Sequence, residues 1–398
     1  MSKNHALAIL FLLVTILVAG LVAQQAIPAY EFGAPLPGLT SDQLSEFSSG
    51  QAQFQDVETV ADGLGPVFNE SSCSACHTSL VSGVAAVGGT NQRLETRFGK
   101  ITGGAFDPLE ELGGSLMQNQ GIGRWNGVNF VGEKVPSEAN VVAHRRTTPL
   151  FGLGLVDAVP DQTFQELARL EKLLTPGTGG TLSIVTNLAT GSAAVGKFGW
   201  KAQNPTLFQF AGDAYLNEMG ITNPQFPNES CPQGDCSLLA ANPKPGLNDD
   251  GTDVQEFTDF MMFLAPPPPG PTTPQSKAGE RIFYLIGCAN CHFPTLVTGR
   301  NAVAALNQVV FHPYSDFLLH DMGALGDGIT QGTATGSLMR TAPLWGLRIQ
   351  SRLLHDGRAL TAQDAILAHD GQGKTARNLY TALTPSQKAN LLAFLNSL

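Results

Sequence analysis

Cys73-Ser74-Ala75-Cys76-His77 and Cys288-Ala289-Asn290-Cys291-His292 are two copies of one short pattern: two cysteines separated by two residues, with a histidine directly behind. Two thiols at this spacing reach the two vinyl groups of one haem, and the next residue delivers an imidazole to the iron from the proximal side. On this reading Cys73, Cys76, Cys288 and Cys291 are thioether donors of two c-type haems, and His77 and His292 are proximal iron ligands. Two other chemistries use the same cysteine spacing. A redox or structural Cys-x-x-Cys disulfide is normally read against a thioredoxin-like βαβ pattern, which the sequence lacks. A four-cysteine zinc site has no need of a histidine behind each pair. Haem accounts for the histidines and the alternatives do not.

Outward from these motifs the chain repeats itself again. Arg146-Thr147-Thr148-Pro149-Leu150-Phe151-Gly152-Leu153 follows the first motif, and Arg340-Thr341-Ala342-Pro343-Leu344-Trp345-Gly346-Leu347 follows the second. The agreement points to duplication of one haem-binding unit. Between the halves lies Ala265-Pro266-Pro267-Pro268-Pro269-Gly270-Pro271. Consecutive prolines cannot lie inside a helix and stiffen a connection. The expected division is therefore an N-terminal haem domain with an insertion over 24–264, a linker over 265–275 and a C-terminal haem domain over 276–398. Helices are predicted over 41–54, over 161–174 with Phe164, Leu167, Leu170 and Leu174 on one face, over 276–286, and from Thr384-Pro385 to the end. The Gly-rich stretch 83–132 has no clear period.

Of 398 residues, 42% are apolar and 14% charged, enough to bury cores and too apolar for wholesale disorder. Gly (44) and Pro (25) imply long irregular connections. A net charge of -10 argues against nucleic acid, which is bound by cations that neutralise phosphates. At the N-terminus, Lys3 and His5 precede an apolar run from Ala6 to Val22, and Ala23 precedes Gln24-Gln25. This reads as a signal peptide over 1–23, with an uncleaved membrane anchor as the alternative. Export to the periplasm or beyond follows from either. Cys231 and Cys236 sit in one polar loop and are expected to pair as a local disulfide.

The stretch from Gly63-Leu64-Gly65-Pro66-Val67-Phe68-Asn69 into Cys73 resembles the dihaem oxidoreductase family, once labelled thiol oxidoreductases. Phe198-Gly199-Trp200-Lys201-Ala202, the run from Tyr314 to Gly323, and Leu354-His355-Asp356-Gly357-Arg358-Ala359 carry the same resemblance. More distantly the layout is similar to bacterial dihaem cytochrome c peroxidases and the related methylamine-utilisation enzyme. That likeness implies a mainly α fold of two cytochrome c-like haem domains with long irregular insertions, one haem open to chemistry and the other passing electrons. It also implies a turn at His355-Asp356-Gly357 and a following helix that ends at His369, where the peroxidases have a distal methionine. The peroxidases' first-half turn (aromatic-Trp-Asp-Gly-Arg) has no counterpart here, which leaves peroxidase activity unassured.

The remaining axial positions have several candidates. For the second haem they are His369, with Met322 as its main rival, and then His320 and His355. For the first they are His144 and Met117, or no protein ligand at all. Trp125, Trp200 and Trp345 are candidate electron stepping points. The peroxidase likeness adds a calcium ion held by carbonyls near Thr341 and Pro343. Arg145-Arg146 reads as a cationic patch for haem propionates. The expected function is an exported dihaem oxidoreductase exchanging electrons with a small redox protein. A carrier with both irons six-coordinate and a haem-free thiol oxidoreductase are the competing readings.

Overall fold

A computed structural model describes residues 32–81, 84–87 and 93–398. The signal-peptide reading over 1–23 lies outside the described residues.

Two crossed helix pairs organise the chain. Helix α1 (Ser41–Gln55) starts at Thr40, whose side chain and that of Gln43 cap each other's backbone N–H groups. Its buried face is Phe47, Gly50 and Phe54. Short helices α2 (Leu153–Asp157), α3 (Asp161–Leu174) and α4 (Leu207–Met219) follow, and then α5 (Thr252–Phe263), which crosses α1. A Cβ at Gly50 would lie 2.2 Å from the Glu256 carbonyl oxygen, so only glycine permits this approach. The second pair repeats the arrangement. Helix α6 (Pro274–Leu285) is capped by Thr273 and Ser276. After α7 (Ala362–Ala368) and α8 (Lys374–Ala382), helix α9 (Pro385–Leu395) packs across it. Here a Cβ at Gly279 would meet the Asn390 carbonyl oxygen at 1.9 Å.

Each cysteine motif follows the first helix of a pair as a single 3₁₀ turn, Cys73–Ala75 and Cys288–Asn290. In both, the histidine N–H donates to the first cysteine's carbonyl at 3.0 Å. The repeated eight-residue segments also match in shape. Gly152 and Gly346 adopt left-handed φ of 71° and 70°, each at the start of a helical turn. One faces Pro266 and the other Pro267, so the proline segment is clasped between the two repeats. The main core runs through both halves, from Phe47, Phe164, Phe257 and Phe260 to Phe311, Phe317 and Trp345. A smaller core of Phe283, Tyr380, Leu391 and Phe394 lies between α6 and α9.

The mainly α expectation is wrong. Among the described residues helix, 3₁₀ turns included, accounts for 36% and strand for 17%, spread over many small sheets, so the fold is mixed α/β. The largest sheet comes from the stretch that lacked a period. Its central strand Leu94–Thr102 pairs antiparallel with Val141–Arg146, Ala105–Asp107 and Ser115–Met117. The strand hides its period because both faces are used. Thr96 and Phe98 are buried on one face, which also carries His144, while Glu95 and Arg97 on the other face line a cavity. Alternation of apolar and polar side chains, the usual strand signal, is lost when the second buried face is charged.

Candidate functional site

Two cavities flank a shared wall, and each contains one cysteine motif. The second is the tighter, about 240 Å³, with Cys288, Cys291 and His292 in its lining. His369, the residue ending α7, lines it too. The His292 and His369 ring centres are 6.4 Å apart, with planes inclined by 56°. Two imidazoles sharing one metal, each through a nitrogen about 2.0–2.1 Å from it, have ring centres about 6 Å apart. The hydrogen bonds orient both rings the same way. His292 Nδ1 donates to the Tyr314 carbonyl at 3.0 Å, and His369 Nδ1 donates to the Ala365 carbonyl at 2.7 Å. Each Nε2 is thereby left as the lone-pair nitrogen. Burial lowers the pKa of both, His292 to about 4, so each is the neutral imidazole that a metal requires. These residues fit an iron porphyrin held from both sides.

The rival ligands fare differently. Met322 lines the same cavity. His320 has both nitrogens engaged, Nε2 with Asp316 at 2.9 Å and Nδ1 with Cys291 Sγ at 3.4 Å. Burial opposes charge on His320, but Asp316 and the Cys291 sulfur hold its pKa well above the ordinary value. His355 is buried with its ring edge-on to Trp200, centres 6.3 Å apart, and burial pulls its pKa down to about 4.

The first cavity is roomier, about 590 Å³, and differently lined. Cys73, Cys76 and His77 lie in it, with Phe54 packed edge-on against the His77 ring. No second histidine lines it among the described residues. His144 is exposed on the sheet's outer side and contacts Thr96 Oγ1, and Met117 is likewise not part of the lining. The wall instead holds Glu95, Arg97, Arg145, Asp213 and Glu218. Arg97 Nε donates to Glu95 at 2.8 Å. Burial and the neighbouring Glu95 push Glu218 up to about 8. Met219 and Met261 also line this cavity. Of these groups only Arg145 was singled out from sequence; the acids and Arg97 sit on the unread strand and on α4.

Arg146 and Trp200 line both cavities. The Trp200 indole N–H donates to the Arg146 carbonyl at 2.8 Å, and the Arg146 guanidinium lies 5.9 Å from the indole ring centre. Trp345 is core beside Phe311, and Trp125 is exposed. Arg145 is committed to Asp327, at 2.7 Å. Arg146 is not paired in this way. It donates to the Leu354 carbonyl and to Gln350, and its counterpart in the repeat, Arg340, donates to the Gly199 and Thr341 carbonyls. Both are buried, and burial pulls each guanidinium down to about 10. Arg146 meets no carboxylate, and Asp316 offsets the burial of Arg340 only in part, so an anion in the cavity would offset the cost of burying both. The two propionates of a haem are such anions. The Thr341 carbonyl, a proposed calcium ligand, already accepts from Ser315 Oγ and Arg340.

All four motif thiols have raised pKa values because they are buried, Cys76 and Cys288 to about 12. Thiol–disulfide exchange needs a thiolate, and so does zinc. The two pairs also face different cavities, so they do not form one four-cysteine site. The remaining pair, Cys231 and Cys236, is joined as a disulfide.

Residues 129–398 match the family described as "Di-haem oxidoreductase, putative peroxidase". No curated protein matches the sequence. Among solved structures, hydrazine synthase of Kuenenia stuttgartiensis under xenon pressure is similar at 14% identity, over 95% of this chain and 98% of that one, with a TM-score of 0.40. A MauG-like protein associated with microbial copper homeostasis is 15% identical over 95% of each chain, TM-score 0.39. A variant of the diheme peroxidase BthA from Burkholderia thailandensis is 14% identical over 72% of this chain and 93% of that one, TM-score 0.32.

Proposed function

The chain belongs to the di-haem oxidoreductase family, and from that premise we propose that it is an exported c-type enzyme with an electron-transferring second haem and a chemically active first haem. Cys73 and Cys76, with His77, would hold one haem, and Cys288 and Cys291, with His292 and His369, would hold the other. The observation that carries this reading is the contrast in lining: paired imidazoles in the second cavity, acids and guanidiniums in the first, the cavity of His77. When bound, haem supplies an iron that exchanges single electrons and, where its sixth position is open, takes a small ligand.

The protein's own groups divide the work. His292 and His369 would hold the second haem from both sides and so keep substrate from its iron. In the first cavity Glu218, whose carboxyl burial and Glu95 push up to about 8, would hold a proton near neutral pH and could donate it to a substrate there. Arg97 is placed to donate hydrogen bonds to negative charge developing there. Arg146 and Arg340 would hold propionates. Trp200, which borders both cavities, is the path between them. An oxidising compartment suits both the thioethers and the Cys231–Cys236 disulfide. No helix among the described residues is long and apolar enough to cross a membrane. The electron partner is a small redox protein.

Met219 and Met261 favour a second reading, a pure electron carrier whose first iron takes one of these thioethers. Two measurements test the proposal. After acid-acetone extraction the intact chain should weigh two haems more than its polypeptide; a haem-free mass overturns covalent attachment. The oxidised protein should lack the near-infrared sulfur-to-iron charge-transfer band. Its presence, lost in Met219→Ala or Met261→Ala, establishes the carrier instead.

A further inference from the structure

We propose that Glu58, Tyr215 and Asp253 form the proton-uptake site of the first haem, so that each one-electron reduction there is matched by one proton settling on Glu58. The inference rests on the first cavity being a haem site.

Tyr215, on α4, is buried and lines the first cavity. Its hydroxyl lies 2.8 Å from Glu58 Oε1 and 3.1 Å from Asp253 Oδ2. A phenol has one proton to donate, so it serves one carboxylate at a time. The second contact is favourable only when that acid carries a proton of its own. The trio therefore has a place for one exchangeable proton beyond the phenol's.

The position couples this proton to the cavity. The Glu58 N–H donates to the Ser71 carbonyl at 2.7 Å, two residues before Cys73, and the Glu58 carboxylate bears electrostatically on the Cys73 sulfur. Glu58 is 6% exposed, whereas Asp253, in the first turn of α5, is half-buried. Asp253 is thus the end nearer water and Glu58 the end nearer the haem. The groups acting on Glu58 are Tyr215 from α4, Asp253 from α5, and Asp56 and Asp62 from its own loop. Burial and the three acids push Glu58 up to about 7 against the lowering effect of the Tyr215 hydroxyl.

The step balances simply. An external one-electron donor reduces the haem. A proton from water enters on Asp253 and passes to the phenol oxygen as the phenol's own proton passes to Glu58. Tyr215 is restored, Asp253 is left ionised as before, and the net change is one electron and one proton gained.

The test is the midpoint potential of each haem in the full dihaem protein, measured with small-molecule mediators across the neutral pH range. The potential that disappears in Cys73→Ala identifies the first haem. That potential should fall as pH rises, approaching a tenfold change in the reduction equilibrium per pH unit, about 59 mV for one electron. Glu58→Gln should flatten it. Tyr215→Phe, which removes a hydrogen bond favouring the carboxylate, should move the dependence to higher pH. Asp253→Asn, which removes a nearby negative charge, should move it to lower pH. An unchanged slope in Glu58→Gln overturns the proposal, as does a pH-independent first haem in the wild type. If Glu58→Gln does not assemble, the opposite shifts of the other two variants decide, and unshifted curves in both overturn it. A chain with no haem on Cys73 and Cys76 overturns the haem reading beneath it.

Discussion

The two cavities share a frame and differ in their linings. Each lies beside a pair of helices brought together at a glycine, Gly50 in one and Gly279 in the other. Each receives a cysteine motif in the same 3₁₀ turn and a buried arginine from the same eight-residue segment. Yet one sets two imidazoles 6.4 Å apart, and the other surrounds a single histidine with acids and guanidiniums. The difference has a structural source. The second site's extra imidazole comes from α7, ahead of the last helix of its own pair. Glu95 and Arg97 come from a sheet built in the first half alone. On the proposed reading the frame would bind the cofactor, and the additions to it would decide what the cofactor does.

The most severe way to break the comparison is to remove the anchors one at a time. Cys73→Ala and Cys288→Ala should each cost one covalent haem and leave the other, read as the mass of the chain after acid-acetone extraction. If both variants keep two, the frame does not hold haem through these cysteines. His369→Ala comes next. It should turn the second haem from low-spin to high-spin and leave the first untouched; an unaltered spectrum would remove His369 from the iron and return Met322 to consideration.

Smaller effects probe the frame itself. Gly50→Ala and Gly279→Ala should each destabilise the fold by about 1–3 kcal/mol, the usual penalty for overpacking, measured by urea unfolding of the haem-loaded protein. A cost at one glycine only would end their equivalence. The mildest test uses the arginines. Removing a buried cation favours the oxidised haem, so Arg146→Gln, at the shared wall, should lower both potentials. Arg340→Gln, in the second cavity, should lower the second alone.

How much of this the sequence disclosed depended on the distance over which its signals act. The cysteine motifs and the repeated Arg-Thr-x-Pro-Leu segment are local patterns and were legible. So was α3, with its apolar stripe, and α9, with its Thr384-Pro385 start. His369 was reached by likeness to a turn and helix, and it lies opposite His292. The sheet was not legible. Its two long strands pair residues such as Thr96 and His144 across intervening turns, and its cavity-facing side chains are charged. For the same reason the first cavity's lining was missed, and His144 was considered as a ligand although the strand turns it outward. That Arg146, rather than Arg145, lacks a carboxylate depends on Asp327, far along the chain.

The central claim is that the first iron is open and the second closed. Low-temperature electron paramagnetic resonance of the oxidised protein, before and after cyanide, tests it most directly. We expect one high-spin and one low-spin haem at equal amounts, with cyanide converting only the high-spin signal, and with that signal missing from Cys73→Ala. Two low-spin haems indifferent to cyanide, or a high-spin signal that survives in Cys73→Ala, would contradict it.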